Sequence, residues 1–204
     1  MRPNEATLRL LLRFEVGGGE EYYNRLLRSP TWPGEASGVT IGVGYDLGYN
    51  TAETIRRDWS PHLNEQVVAR LARCAGLTGA RARAALGSVR DIIVPWSAAF
   101  AVFQAVTIPK FWGKTLIVFP GVEDLHPNCQ GALLSLVFNR GESLAGDRRR
   151  EMRAIRELVP DMNYREIARQ IRLMKRLWRG TTIELGMSRR RDAEADLVLS
   201  AIET

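Results

Sequence analysis

The hydrophobic pattern of this chain is helical over most of its length. Near the N-terminus, apolar residues recur on one face of residues 4–16, and Asn4 precedes them as a predicted N-cap. That face consists of Leu8, Leu11, Leu12 and Val16. Three consecutive glycines at 17–19 end the helix, because ordering them in a helix costs too much backbone entropy. Glu15 is therefore predicted to lie in the last helical turn.

In a shorter stretch of the chain, two types of residue alternate with the two-residue period of a β-strand. From Val39 to Asp46, β-branched or aromatic residues alternate with small ones, including two glycines. This pattern predicts a strand with a tight turn nearby, forming one side of a small antiparallel sheet. The preceding residues, 20–38, contain many turn formers, which predicts an irregular and exposed segment. Trp32 in that segment is a candidate for stacking on a sugar, although at least half of such aromatic side chains only anchor a loop.

Helical signals dominate again from Asn50 onward. Asn50 and Glu53 form a capping-box-like start for one helix. A mostly apolar helix that begins at Trp96 is predicted to break at Pro109, because proline cannot donate a backbone hydrogen bond. The segment from Cys129 to Asn139 is apolar almost all round, as expected of a central, buried helix. Further helices are predicted at about 64–76, 80–90, 144–158, 164–178 and 188–202.

Together these elements predict an α+β chain that is predominantly α. A length of 204 residues is sufficient for one sizeable hydrophobic core. We expect a single domain over residues 1–204, with a small sheet-containing lobe at about 17–60 and helices in the remainder. No internal repeat or low-complexity linker divides the chain.

Composition narrows the class of protein only slightly. The chain has no apolar run near the roughly 18 residues that a membrane helix needs, and no recognisable signal peptide, so we expect it to be made in the cytoplasm. The net charge of +6 would suit nucleic acid, an acidic membrane surface or bacterial cell wall, but interspersed acidic residues leave charge indecisive. Cys74 and Cys129 lie in apolar, helix-like segments and His62 and His126 are isolated, so the sequence has no zinc-ligand spacing and favours two buried thiols over a disulfide bridge. No cofactor is expected.

Glu15 combines two features that suit a general acid. The C-terminal end of a helix carries a partial negative charge, and the flanking Phe14 and Val16 are apolar. Both features disfavour the ionised carboxylate, and a general acid must hold its proton near neutral pH. A surface ion pair with Arg13 or with a more distant arginine would explain the same position equally well, so the pattern leaves both interpretations open.

Three separate stretches resemble the superfamily of phage-type lysozymes. Ala132–Gly141 (ALLSLVFNRG) looks like its buried central helix, Gly186–Leu199 (GMSRRRDAEADLVL) is similar to its C-terminal Arg-Arg…Glu helix, and Ser37–Gly48 (SGVTIGVGYDLG) resembles its sheet segment. With Glu15, the resemblance covers nearly the whole chain and implies a lysozyme-like fold. In the commonest pattern of that superfamily, a carboxylate follows the catalytic glutamate by about nine residues and precedes the threonine. The chain departs from this pattern, because the corresponding position is near Asn24.

The order Glu15, Thr40, Asp46 instead resembles the pesticin type of lysozyme-like muramidase. The resemblance implies that Glu15 donates a proton to the leaving oxygen and that Asp46 deprotonates a water, with Thr40 binding the same water. It also implies that Arg190 pairs with Glu15. The residues expected to bind substrate are Trp32, Tyr45, Asn139 and Arg190.

The implied function is that of a muramidase, a peptidoglycan hydrolase. It would cleave the β-1,4 bond between N-acetylmuramic acid and N-acetylglucosamine with inversion, as expected when a water lies between acid and base. The expected partner is bacterial peptidoglycan, in the periplasm or on target cells, reached as a phage endolysin, a bacteriocin or a secreted effector. No nucleic-acid partner is expected, and the protein is expected to be a monomer.

Two other classes share parts of this pattern. A lytic transglycosylase has a lysozyme-like fold but needs one glutamate and no water-holding aspartate, and a chitinase or chitosanase would differ only in its substrate subsites. The non-enzyme alternative is a lysozyme-like wall-binding module of a phage tail or secretion system. Such a module would not need Glu15, Thr40 and Asp46 together.

Overall fold

In the computed structural model, which describes residues 3–202, the chain is mainly helical and contains one small antiparallel sheet near the N-terminus. This confirms the predicted α+β class with a large excess of helix. The strands are β1 (Thr40–Ile41) and β2 (Tyr45–Asp46). The helices are α1 (Glu5–Glu15), α2 (Glu20–Leu26), α3 (Ala52–Trp59), α4 (Glu65–Ala72), α5 (Gly79–Ala85), α6 (Trp96–Val102), α7 (Ile108–Val118), α8 (Pro127–Arg140), α9 (Arg150–Leu158), α10 (Tyr164–Leu173) and α11 (Glu184–Leu199).

The chain forms two compact units. One runs from Glu15 to Pro109 and contains the sheet, and the other combines the residues up to Phe14 with those from Lys110 onward. The sequence pattern placed the end of the sheet-containing lobe near residue 60. The unit continues past that point because α3 packs against both α4 and α6.

Helix α1 begins and ends where the sequence pattern predicts. The Asn4 side chain accepts a hydrogen bond from the Thr7 amide at 2.9 Å, which satisfies one of the free N–H groups of the first turn. Glu15 is the last helical residue, and Gly17, Gly18 and Gly19 all have positive φ. Ordinary residues rarely adopt that conformation, so the glycines allow the chain to leave the helix.

The alternating segment forms both strands of a hairpin. The sequence pattern predicted one strand, but β1 and β2 pair antiparallel across the loop Gly42–Val43–Gly44. Gly42 and Gly44 both have positive φ, which makes the three-residue reversal accessible. The prediction of a single strand was wrong because alternation by itself does not show where a short strand turns back.

Three local predictions in the same unit also need correction. Residues 20–26, expected to be irregular, form α2, and the N-cap of α3 is Thr51, not Asn50. The helix from Trp96 does not break at Pro109. A π-helical turn at Phe103–Thr107 precedes the proline, and the Ile108 amide donates to the Phe103 carbonyl five residues back. The wider turn accommodates the missing proline donor, so helix continues through α7.

Helix α8 is the central helix of the other unit, as its apolar sequence predicts. Every residue from Gly131 to Val137 is buried. A Cβ atom at Gly131 would lie 1.9 Å from the Thr7 hydroxyl, so the missing side chain lets α1 pack directly on α8. Helix α11 packs against α8 and α10, which completes the core of this unit.

Candidate active site

Thr40 and Asp46 face each other across the hairpin. They are register partners in the antiparallel pair of β1 and β2. The Thr40 backbone N–H and C=O both bond to Thr31 on its other side, at 2.8 and 3.0 Å. Thr40 and Asp46 are therefore a non-hydrogen-bonded pair, the kind whose side chains come closest, with Cβ atoms about 4.5–5.5 Å apart. Both side chains are only partly buried, so the hydroxyl and the carboxylate are both within reach of solvent.

Two backbone amides hold the Asp46 carboxylate. Its Oδ2 accepts from the Gly38 amide at 3.0 Å and its Oδ1 from the Gly48 amide at 2.8 Å. The second bond caps the 3₁₀ turn at Leu47–Tyr49. A carboxylate has about four acceptor positions, so these two bonds fix its orientation and leave capacity for a water or a substrate hydroxyl.

Gly38 also belongs to this site, although the sequence pattern did not single it out. A Cβ atom there would lie 2.1 Å from the Asp46 Oδ1 and 2.5 Å from the Gly48 amide nitrogen. Glycine is therefore required for the carboxylate to reach both amides. The signal that could have revealed the arrangement is the Asp-Leu-Gly run at 46–48, which is typical of an aspartate that bonds the backbone two residues on.

Replacing Gly38 by alanine is expected to destabilise the protein. The added methyl would meet backbone atoms that cannot move aside, and overpacking of this kind costs about 1–3 kcal/mol. Thermal unfolding of Gly38→Ala measures this cost, with Gly87→Ala as the matched control because a Cβ at Gly87 meets nothing within 4 Å. Equal melting temperatures for the two variants would contradict the packing of Asp46 over Gly38.

Glu15 belongs to the same unit as Thr40 and Asp46. It is the last residue of α1, it is partly buried, and the glycine turn begins two residues later. The three residues predicted to be catalytic thus lie in one unit, Glu15–Pro109. The hairpin register brings Thr40 and Asp46 together.

Trp32 is held by its own loop. Its indole N–H donates to the Ser37 carbonyl at 3.0 Å, and the Arg83 guanidinium lies over the ring, 5.7 Å from its centroid. The side chain is partly buried. These contacts make Trp32 an anchor of the loop, which is the alternative that the sequence analysis weighed against sugar stacking.

Tyr45 is a core residue, which argues against its expected role in binding substrate. It is 6% exposed, its hydroxyl donates to Asp58 Oδ2 at 2.8 Å, and its ring meets Trp59 edge to face. Burial, together with the hydrogen bond to Asp58, raises the pKa of the Tyr45 hydroxyl. Its strand position explains the difference, because successive side chains of β2 point to opposite faces. Asp46 therefore faces outward and Tyr45 inward.

Arg190 and Asn139 lie in the other unit and take part in a polar network there. Arg190 is 5% exposed, and its guanidinium donates to Glu194 Oε1 and to the Ser135 carbonyl, both at 3.2 Å. Asn139 is exposed, and its side-chain oxygen accepts from Arg191 at 3.2 Å. Arg190 therefore exposes little surface, and its contacts with Glu194 and Ser135 are those of a buried polar network.

Residues 3–202 contain neither a membrane-spanning helix nor a cluster of metal-binding side chains. None of the helices described is both long and apolar enough to cross a bilayer. Within the same residues, His, Cys, Asp and Glu side chains form no group of three that could hold a metal ion.

Comparison with known proteins adds one match. The chain belongs to the α+β proteins with mainly helical structure, and a family model described as a domain of unknown function (DUF8812) matches residues 11–104. The matched segment is slightly less than half of the chain and nearly coincides with the unit Glu15–Pro109. It contains Glu15, Thr40 and Asp46. No curated protein matches the sequence.

Proposed function

We propose that this protein is a lysozyme-like muramidase that hydrolyses bacterial peptidoglycan. The observation that carries the proposal is the pairing of Thr40 with Asp46 across the hairpin, beside backbone amides that orient the carboxylate. A hydroxyl and a carboxylate on directly paired residues are two groups that can bind and deprotonate one water. Glu15, in the same unit and at a helix end, supplies the second carboxyl group that glycoside hydrolysis requires.

The proposed mechanism is a single displacement with inversion. Glu15, protonated, donates its proton to the glycosidic oxygen between N-acetylmuramic acid and N-acetylglucosamine as that bond breaks. Asp46 removes a proton from the attacking water, which the Thr40 hydroxyl also binds. Inversion requires room for that water, so we expect the two carboxyl groups to be roughly 6.5–9.5 Å apart in the substrate complex.

A second candidate function follows from the way Asp46 is bound. Both of its carboxylate oxygens bond backbone amides, which is also what an aspartate with a purely structural role would do. A non-catalytic module that binds the wall would keep this arrangement for stability alone. Such a module would sediment with peptidoglycan and release nothing from it.

Mass spectrometry of purified sacculi after incubation with the protein tests the proposal. We expect soluble muropeptides that end in reducing N-acetylmuramic acid, because water is the acceptor in hydrolysis. Muropeptides with 1,6-anhydro ends would identify a lytic transglycosylase, since that reaction uses the sugar's own hydroxyl. Reducing ends on N-acetylglucosamine would show cleavage of the other glycan bond, and intact sacculi that bind the protein would favour the non-catalytic module.

The proposal extends to location and partner. Peptidoglycan is the proposed partner, and the proposed site of action is the periplasm or the wall of a target cell. Delivery by phage lysis, as a bacteriocin or through a secretion system is compatible with the same chemistry.

A further inference from the structure

A cavity opens beside the glycine turn that follows Glu15. Its volume is about 390 Å³, and it is lined by residues 17–22 and Arg25, all in the unit that contains the hairpin. Ligand sites commonly occupy about 300–1,000 Å³, so the cavity is large enough for one sugar ring. Its first lining residue is only two positions from Glu15.

Glycine leaves the backbone of this cavity accessible. A Cβ atom added at Gly18 or at Gly19 would meet nothing within 4 Å, so the space over both residues is open. The positive φ of these residues explains why side chains are absent from this wall. Their amide and carbonyl groups can then approach a ligand closely.

Tyr22 forms an aromatic wall that is held in position. It is 37% exposed, and a Cβ at Gly17 would lie 2.6–2.8 Å from three of its ring carbons, so its ring packs against the backbone. The Arg25 guanidinium lies 5.8 Å from the ring centroid. A ring fixed in this way loses little conformational freedom when a ligand binds.

The charges around the cavity favour a neutral ligand that is rich in hydroxyl groups. Glu20 and Glu21 supply carboxylate acceptors and Arg25 supplies donors. Two carboxylates repel a phosphate or another anion. Hydroxyl and acetamido groups can pair with all three side chains, and the apolar face of a sugar can contact the exposed part of Tyr22.

We propose that this cavity is a saccharide subsite that binds one N-acetylhexosamine of the same glycan chain that reaches Glu15. The proposal rests on the proposed muramidase function, because it assigns the cavity to that substrate. Tyr22 is then a binding residue that contacts the sugar in this cavity, next to the glycine turn that follows Glu15.

The first test is a titration of ¹⁵N-labelled Glu15→Gln protein with the tetramer of N-acetylglucosamine, followed by NMR. We expect the amide resonances of Gly17, Gly18 and Gly19 to shift with saturation. The second test compares Tyr22→Ala with Tyr49→Ala in hydrolysis of soluble peptidoglycan fragments. Tyr49 is a more exposed tyrosine of the same unit that does not line the cavity.

Loss of a binding contact should change KM and not kcat. Tyr22→Ala should raise KM about tenfold, equivalent to about 1.4 kcal/mol, and leave kcat within about twofold of wild type. Tyr49→Ala should leave both constants unchanged. If the wild-type protein hydrolyses peptidoglycan while the glycine resonances and the KM of Tyr22→Ala do not change, the subsite is refuted and the muramidase proposal stands. If the wild-type protein hydrolyses nothing, the muramidase proposal is refuted, and the NMR titration alone tests the subsite. Shifted glycine resonances would then still show that the cavity binds sugar, and unshifted resonances would refute the subsite.

Discussion

Glu15→Gln is expected to abolish the release of reducing ends from purified peptidoglycan. Glutamine keeps the shape of the side chain but has no acidic proton to give to the leaving oxygen. General acid catalysis contributes about 10²–10⁴-fold to rate, so residual activity should fall at or below the detection limit of a turbidity assay. Binding to the wall, measured by sedimentation with sacculi, should remain.

The matched control for this variant is Glu35→Gln. Glu35 is an exposed glutamate in the loop that precedes β1, within the same unit. We expect it to retain wild-type activity, because the same change of charge is made away from the proposed acid. A Glu15→Gln protein that clears peptidoglycan at the wild-type rate would refute the role of Glu15.

The second large effect is expected for stability, at Glu194 in the other unit. Glu194 is fully buried on α11 and contacts Arg191 at 3.0 Å and Arg190 at 3.2 Å, and its Oε1 accepts from the Ser135 hydroxyl at 2.7 Å. Burial lowers the pKa of Arg191, and the Glu194 charge opposes that shift. Glu194 therefore compensates a guanidinium that has no access to water.

Glu194→Gln removes that compensating charge and leaves the Arg191 guanidinium buried. Breaking a buried pair from one side costs about 3–5 kcal/mol, and for a protein of this size the melting temperature should fall by about 6–20 °C. Asp196→Asn is the control, because Asp196 lies on the same helix in an exposed pair with Arg172 and should cost less than about 1 kcal/mol. Similar melting temperatures for the two variants would show that the buried charge is not needed.

The hydrogen bonds of other arginines explain part of the arginine-rich composition. Of 29 lysine and arginine residues only three are lysine. Several arginines donate to backbone carbonyls, including Arg153 to Leu144 and Gly146 and Arg156 to Ile117 and Val118. These arginines stabilise loops and helix ends, so the net charge of the chain is a poor guide to its partner.

Features that depend on neighbouring residues were predictable from the sequence. Asn4, Asn64 and Asn163 each cap the helix that follows, because a short polar side chain reaches the amide three residues on. The glycine turn after Glu15 and the apolar helix α8 follow from equally local properties, backbone freedom and hydrophobicity.

Features that depend on distant contacts were not predictable. Helix α2 lies in a segment of weak helical signal, and its Tyr23 is anchored by a hydrogen bond to the Val94 carbonyl and by contact with Trp96. Those partners are about 70 residues away along the chain. The π turn before Pro109 likewise could not be read from its sequence, because proline at that position normally predicts a break.

Local sequence patterns predict that the chain is mainly helical, that Glu15 ends a helix and that Thr40 and Asp46 lie in an alternating, glycine-containing segment. Contacts between distant residues make this segment turn back on itself, so that Thr40 pairs with Asp46 while Tyr45 points into the core. The reason is that alternation defines two faces of a strand but not which face the rest of the protein covers. Burial of Tyr45 against Asp58 and Trp59 makes that choice.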